Sequence, residues 1–178
     1  MSITFEPLTE LHFPLLLKWL EAPHVKSWWS RDVKWTPELI WEKYGDYVKG
    51  YKRFKLQEQM IEKPMHAYII SMDQKPIGYI QYYSAHDFPH EQGYETSDLP
   101  QSCAALDWYI GEPEFTGKGI GSKALEICLK LHVFKHFDHV FVDPDTANTF
   151  ALRAYEKAGF KTIKKVNNGK ITWMLRTC

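Results

Sequence analysis

The chain has 178 residues, with 22 Lys+Arg against 22 Asp+Glu, so it carries no net field that would recruit nucleic acid. It is 44% hydrophobic and 15% aromatic, too apolar for disorder, yet no apolar run approaches the roughly 18 residues of a membrane span. The opening MSITFEPLTE lacks the basic-then-apolar layout of a secretory leader. Cys103, Cys128 and Cys178 are an odd number with no C-x-x-C and suit a reducing cytoplasm. One domain spanning 1–178 is expected, long enough to bury about two-thirds of its unfolded surface.

In chain order, "SITFEPL" alternates as a short strand, and Thr9 follows as a helix cap. That helix carries a stripe of Leu11, Leu15, Leu16, Trp19 and Leu20. Thr36-Pro37-Glu38 is a second helix start, ahead of Leu39, Ile40, Tyr44, Tyr47 and Val48. Strands at 66–72 and 77–84 flank a polar turn at Asp73-Gln74-Lys75-Pro76, and a third covers 104–111. Residues 121–137 have helical spacing, and 139–145 form an apolar strand closed by a proline turn. A helix follows with Asn148 at its cap and Gly159 just past its end. Strands near 161–167 and 170–176 surround the hairpin signal Asn167-Asn168-Gly169. This order predicts an α/β layer structure whose sheet is partly parallel and partly antiparallel.

The stretch "EFTGKGIGSKAL" (114–125) places Gly117, Gly119 and Gly121 between a predicted strand and a predicted helix. Glycines there permit positive φ and let successive N–H groups converge, with a helix N-terminus behind them, which suits a phosphate or pyrophosphate. Lys118 adds a mobile cation. No Lys-Ser/Thr follows a GxxxxG, so this is not a Walker loop, and the spacing G-x-G-x-G is not the dinucleotide fingerprint. A plain glycine turn before a helix is the alternative.

The run of "LDWYIG", "GKGIGSKAL", "VFVDP" and "NTFALRAYEKAGF" resembles the GCN5-related N-acetyltransferase (GNAT) family. Within it the chain is most similar to the aminoglycoside 6′-N-acetyltransferases, through Trp28-Trp29, "PIGYIQYY", Asp107 ten residues before Gly117, "DPDTAN" and "YEKAGF". The resemblance implies a mixed sheet of about seven strands with about four helices, and acetyl-CoA as cofactor. It places the cofactor on Trp108, Tyr109 and Ile110 of the 106–111 strand, on Thr116, Gly117, Lys118, Gly119, Ile120, Gly121 and Ser122, and on Asn148 and Tyr155. Thr116 stands where the family usually has Arg or Gln, which removes one side-chain contact and leaves the backbone cradle.

Acyl transfer to an amine needs a base, because an alkyl ammonium with a pKa near 10 is neutral in only about one part in a thousand at pH 7. Asp107, in the otherwise apolar "AALDWYI", is the candidate; alternation puts it on one strand face with Tyr109, opposite Trp108 and Ile110. The other reading is a strand-end carboxylate paired with a basic side chain. By resemblance Tyr155 protonates the leaving thiolate, and its competing role is a core ring beside Phe160. None of the cysteines sits in a nucleophile setting, so no covalent enzyme intermediate is expected.

The connection 85–103 holds Asp87, Glu91, Glu95 and Asp98 with no Lys or Arg, four acids minus zero bases, a local charge of −4. Such a wall would concentrate a polycation, unless it is simply a solvated loop. Trp28, Trp29, Trp35, Trp41, Tyr44 and Tyr47 crowd the early helices; Trp41 and Tyr47 read as core. By resemblance Trp29, Tyr44, Gln81 and Asp143 contact the acceptor with Asp107, and Asp87 lies near. His86 and His90 lack a third ligand, so no metal is expected. The expected activity is acetylation of an aminoglycoside amine by direct attack in a ternary complex. The alternatives are another amine (a polyamine, a peptide lysine or a siderophore hydroxylamine) and a non-catalytic CoA-binding module. The state is monomer or homodimer, with no nucleic-acid or membrane partner.

Overall fold

Thr36 begins its helix as the sequence requires: the Leu39 amide donates to Thr36 Oγ1 at 3.2 Å, and Pro37 takes the first helical position. A computed structural model describes residues 1–88 and 95–178. Two compact units emerge, one of residues 1–81 and 108–115, the other of 82–107 and 116–178.

The first unit opens with β1 (Ile3–Pro7), then α1 (Phe13–Glu21), α2 (Pro23–Lys26) and α3 (Pro37–Val48). Leu16, Trp19, Leu20, Ile40 and Tyr44 are fully buried, so α1 and α3 turn the expected apolar faces inward. Leu11 departs from this: it is 89% exposed. Residues Glu10–His12 form a 3-10 turn, closed by the Thr9 amide donating to His12 Nδ1 at 3.0 Å, which shifts Leu11 off the stripe. Trp41 also departs from the core expectation at 50% exposed, lying edge-on to Phe13, whereas Tyr47 is buried as expected.

A hairpin absent from the sequence reading follows: β2 (Tyr51–Leu56) and β3 (Gln59–Pro64) form their own antiparallel sheet. β4 (His66–Met72) pairs antiparallel with β1 from Ile3↔Met72 to Pro7↔Tyr68. Its turn into β5 (Lys75–Ser84) is only Asp73-Gln74, both at positive φ, shorter than expected because strand resumes at Lys75. β5 and β6 (Cys103–Ile110) each carry residues of both units. In the first unit their backbones come close: a Cβ on Gly78 would lie 2.4 Å from the Tyr109 carbonyl oxygen, so only glycine fits.

In the second unit, α4 (Ile120–Leu131) buries Ala124, Leu125, Cys128 and Leu129. β7 (His139–Val142) runs parallel to β6. After α5 (Thr149–Lys157), β8 (Lys161–Val166) and β9 (Ile171–Thr177) form the terminal hairpin through Asn167, Asn168 and Gly169, all at positive φ. Phe141 and Trp173 meet edge-on at 4.9 Å in a core with Cys103, Ala105 and Leu99. The main sheet has seven strands in the order β1-β4-β5-β6-β7-β9-β8, a mixed α/β arrangement with five α-helices against the four expected.

Candidate active site

The glycine loop lies wholly in the second unit. Gly117 and Gly119 have φ of +70° and +75°, values that L side chains rarely adopt, and Gly119 is the N-cap of α4. Gly121 differs from the expectation: it sits in the first turn of α4, where its contribution is the missing side chain and not a left-handed backbone. Among the described residues, the N–H groups from Gly117 to Ser122 donate to no protein acceptor. A Cβ on Gly117 or Gly119 would have nothing within 4 Å. The result is a row of donors, exposed from Gly117 to Gly119, at the positive end of a 12-residue helix, an arrangement that attracts an anion. Thr116 and Lys118 are exposed beside it, Ser122 is half-buried, and Ile120 is buried.

Strand β6 pairs with β7 only from Cys103↔His139 to Ala105↔Phe141 and then continues to Ile110. Asp107, half-buried, stands two residues past the last rung. Asp143 follows the end of β7 and is also half-buried. Asn148 caps α5: its side-chain oxygen accepts from the Ala151 amide at 3.2 Å, and its own amide donates to Asp145 O at 2.9 Å. Tyr155 is buried on α5, with its ring 5.3 Å from that of Phe160. Asp87 is half-buried and its amide donates to Ser84 O. Glu91 and His90 lie outside the described residues. His86 Nε2 is 2.8 Å from Pro100 O, and among the described residues no three His, Cys, Asp or Glu side chains gather as a metal site would need. Burial pushes the thiols of Cys103 and Cys128 up to about 12, so neither supplies a thiolate at neutral pH.

In the first unit the aromatic residues form one network. Trp29 meets Tyr109 edge-on at 4.9 Å, Tyr79 packs at 5.7 Å from both Tyr44 and Tyr109, and Trp35 packs at 6.2 Å from Tyr44. Tyr44 is fully buried, and Gln81, also buried, accepts from Tyr79 Oη at 2.7 Å. Trp29 is half-buried, Trp28 exposed, and Lys43 Nζ lies 5.4 Å over the Trp35 ring. Ile110 is buried, and its carbonyl lies 3.1 Å from His24 Nε2; Trp108 is half-buried.

Two structural anchors escaped the sequence reading. Glu112 is buried just after β6, where Oε1 accepts from Lys18 Nζ at 2.6 Å and Trp19 Nε1 at 2.9 Å. Trp19 in turn roofs Gly111, where a Cβ would lie 2.2 Å from the indole. Both partnerships join residues more than 90 apart in the chain, so no local pattern announces them.

A family model described as an acetyltransferase (GNAT) domain matches residues 9–168. The aminoglycoside N(6′)-acetyltransferases type 1 of Klebsiella pneumoniae and of Serratia marcescens are each 27% identical over 180 aligned positions, covering 99% of this chain and 83% of theirs. Among solved structures, AAC(6′)-Ib in complex with paromomycin and acetyl-CoA superposes with a TM-score of 0.78 at 25% identity, covering 99% of this chain and 94% of that one. AAC(6′)-Ib in complex with coenzyme A and kanamycin gives 0.77 at 25% identity, with coverage of 99% and 95%. The seven-stranded mixed sheet and the match across 9–168 agree: the chain belongs to the GCN5-related N-acetyltransferase family.

Proposed function

We propose that the protein is an acetyl-CoA-dependent N-acetyltransferase that acetylates the 6′-amine of an aminoglycoside and thereby confers resistance to it. The carrying observation is the row of undonated amides from Gly117 to Ser122 at the head of α4. Coenzyme A fits this donor set, because a diphosphate brings several acceptor oxygens to amides that bond to none of the described residues. The relatives named above act on aminoglycosides or were crystallised with them, which supports the acceptor class.

Thr116 to Ser122, with Lys118, would hold the diphosphate, Asn148 would flank the carrier, and the main chain of Trp108, Tyr109 and Ile110 would align it past the last β6/β7 rung. When bound, acetyl-CoA supplies an acetyl group activated as a thioester. Asp107 attracts the acceptor's ammonium and takes its proton, directly or through one water. A β6 amide donates to the reacting carbonyl oxygen. Tyr155 would donate its phenolic proton to the leaving sulfur. The Cys103 and Cys128 thiols, held protonated, would not take up the acetyl group, which supports direct attack by the amine in a ternary complex. Trp29, Tyr44, Gln81, Asp87 and Asp143 complete the acceptor contacts. Residues 1–178 act together as one domain, supported by the match across 9–168, and three free cysteines suit the cytoplasm.

The test is thiol release with kanamycin, tobramycin, spermidine and lysine peptides in parallel. Turnover with the aminoglycosides and product acetylated at the 6′-nitrogen are expected. Turnover only with spermidine or peptides would move the protein to another acceptor class, and CoA binding without any turnover would make it a binding module.

A further inference from the structure

The aromatic network contains a polar group that the proposed mechanism leaves unused. Tyr109 is 8% exposed, and its hydroxyl is buried without a hydrogen-bond partner among the described residues. Native proteins rarely strand a buried hydroxyl, because it forfeits its hydrogen bonds to water and receives nothing in return. The ring is held from three sides: edge-on to Trp29 at 4.9 Å and to Trp19 at 6.3 Å, and tilted over Tyr79 at 5.7 Å. The strand beneath is fixed as well, by Gly78 against the Tyr109 carbonyl. The hydroxyl is therefore held in place beside these rings. Tyr79 does not relieve it by donation, since its own proton goes to Gln81 Oε1. Trp35 Nε1 is likewise buried and unpaired, but an indole can only donate, and its ring joins the network through Tyr44.

We infer that Tyr109 Oη is a specificity-determining contact, hydrogen-bonded in the complex by a hydroxyl of the amino sugar that the protein acetylates. The inference rests on the acceptor class proposed above and adds a residue and a discriminating group to it. A sugar hydroxyl both donates and accepts, as the phenol does, whereas an aliphatic ammonium only donates. Burial and the neighbouring Tyr44 phenol raise the Tyr109 pKa, so the hydroxyl keeps its proton across the neutral range. The Trp29 and Tyr79 rings on either side offer the apolar and cation-attracting faces that an amino sugar uses. Trp29, half-buried, carries the network to the surface. Two residues back along β6 stands Asp107.

Tyr109→Phe removes only the oxygen. Calorimetric affinity for kanamycin without acetyl-CoA, KM values for kanamycin, spermidine and acetyl-CoA, and Tm are compared with the wild type. The expected result is a kanamycin Kd and KM each raised about ten-fold, with KM for acetyl-CoA and any spermidine turnover unchanged and Tm equal or higher. Wild-type kanamycin affinity in the variant overturns the inference and leaves the acceptor reading standing. An equal loss toward kanamycin and acetyl-CoA also overturns it, since that marks a general distortion. A wild-type protein that neither binds nor acetylates kanamycin defeats the acceptor reading and the inference together.

Discussion

The Lys123 amide donates to the Gly119 carbonyl at 3.2 Å, and it is the first amide after Thr116 to reach an acceptor within the described chain. Gly119 thus ends an exposed turn whose amides reach no acceptor among the described residues, and it begins the stretch satisfied by the helix. Its φ of +75° permits the reversal. Gly119→Val forces a β-branched residue into that region, at about 1–2 kcal/mol of stability. The side chain would also stand over the donors, so KM for acetyl-CoA should rise by ten-fold or more, read from steady-state kinetics, with kanamycin KM little changed.

Thr116 is exposed at the mouth of the same loop. Thr116→Arg adds a planar, charged donor where the family's pattern has Arg or Gln. Acetyl-CoA KM should fall about 3- to 10-fold, measured alongside an unchanged Tm. An unchanged or higher KM would mean that the loop holds its anion differently.

Asp107→Asn keeps the shape of the side chain and removes its capacity to take a proton. Loss of a positioned base lowers turnover by about 10²- to 10⁴-fold. The expected outcome is that loss in kcat with KM for acetyl-CoA within about two-fold, and partial recovery as pH rises toward the pKa of the amine. Equal activity would take Asp107 out of the base role.

Much of this arrangement is legible in the sequence, and the failures have identifiable causes. Gly117 and Gly119 announced the loop because positive φ leaves few other residues to choose from. Thr36-Pro37 announced α3 because cap and first-turn chemistry are local. The β2/β3 hairpin carries no such signal, because its turn residues, Gln57 and Glu58, adopt φ of 46° and 66° without any Asn, Asp or Gly. Its strands also interleave Lys52, Arg53 and Lys55 with few buried positions. Alternation on β6 separates Tyr109 from Trp108. It could not reveal that Trp19, Trp29 and Tyr79 would surround the ring, since those residues are 30 to 90 positions away in the chain and only the packed sheet gathers them.

Glu112 yields a stability prediction with a defined pH dependence. The Lys18 ammonium first, and the Trp19 indole N–H second, hold its carboxyl below the ordinary carboxylate range. A depressed folded pKa stabilises the fold above that range, and the contribution disappears as pH falls through the folded value. Glu112→Gln should therefore cost about 1–2 kcal/mol in denaturant unfolding at pH 7, and the gap to wild type should narrow as pH falls below the ordinary carboxylate range. A gap that stays constant with pH would assign the loss to packing.

The most direct measurement of the central claim is amide NMR on the intact protein during titration with coenzyme A. The resonances of Gly117 to Ser122 should move most, and their hydrogen exchange should slow as their N–H groups acquire acceptors. Saturable binding with those amides unmoved and still exchanging freely would contradict it.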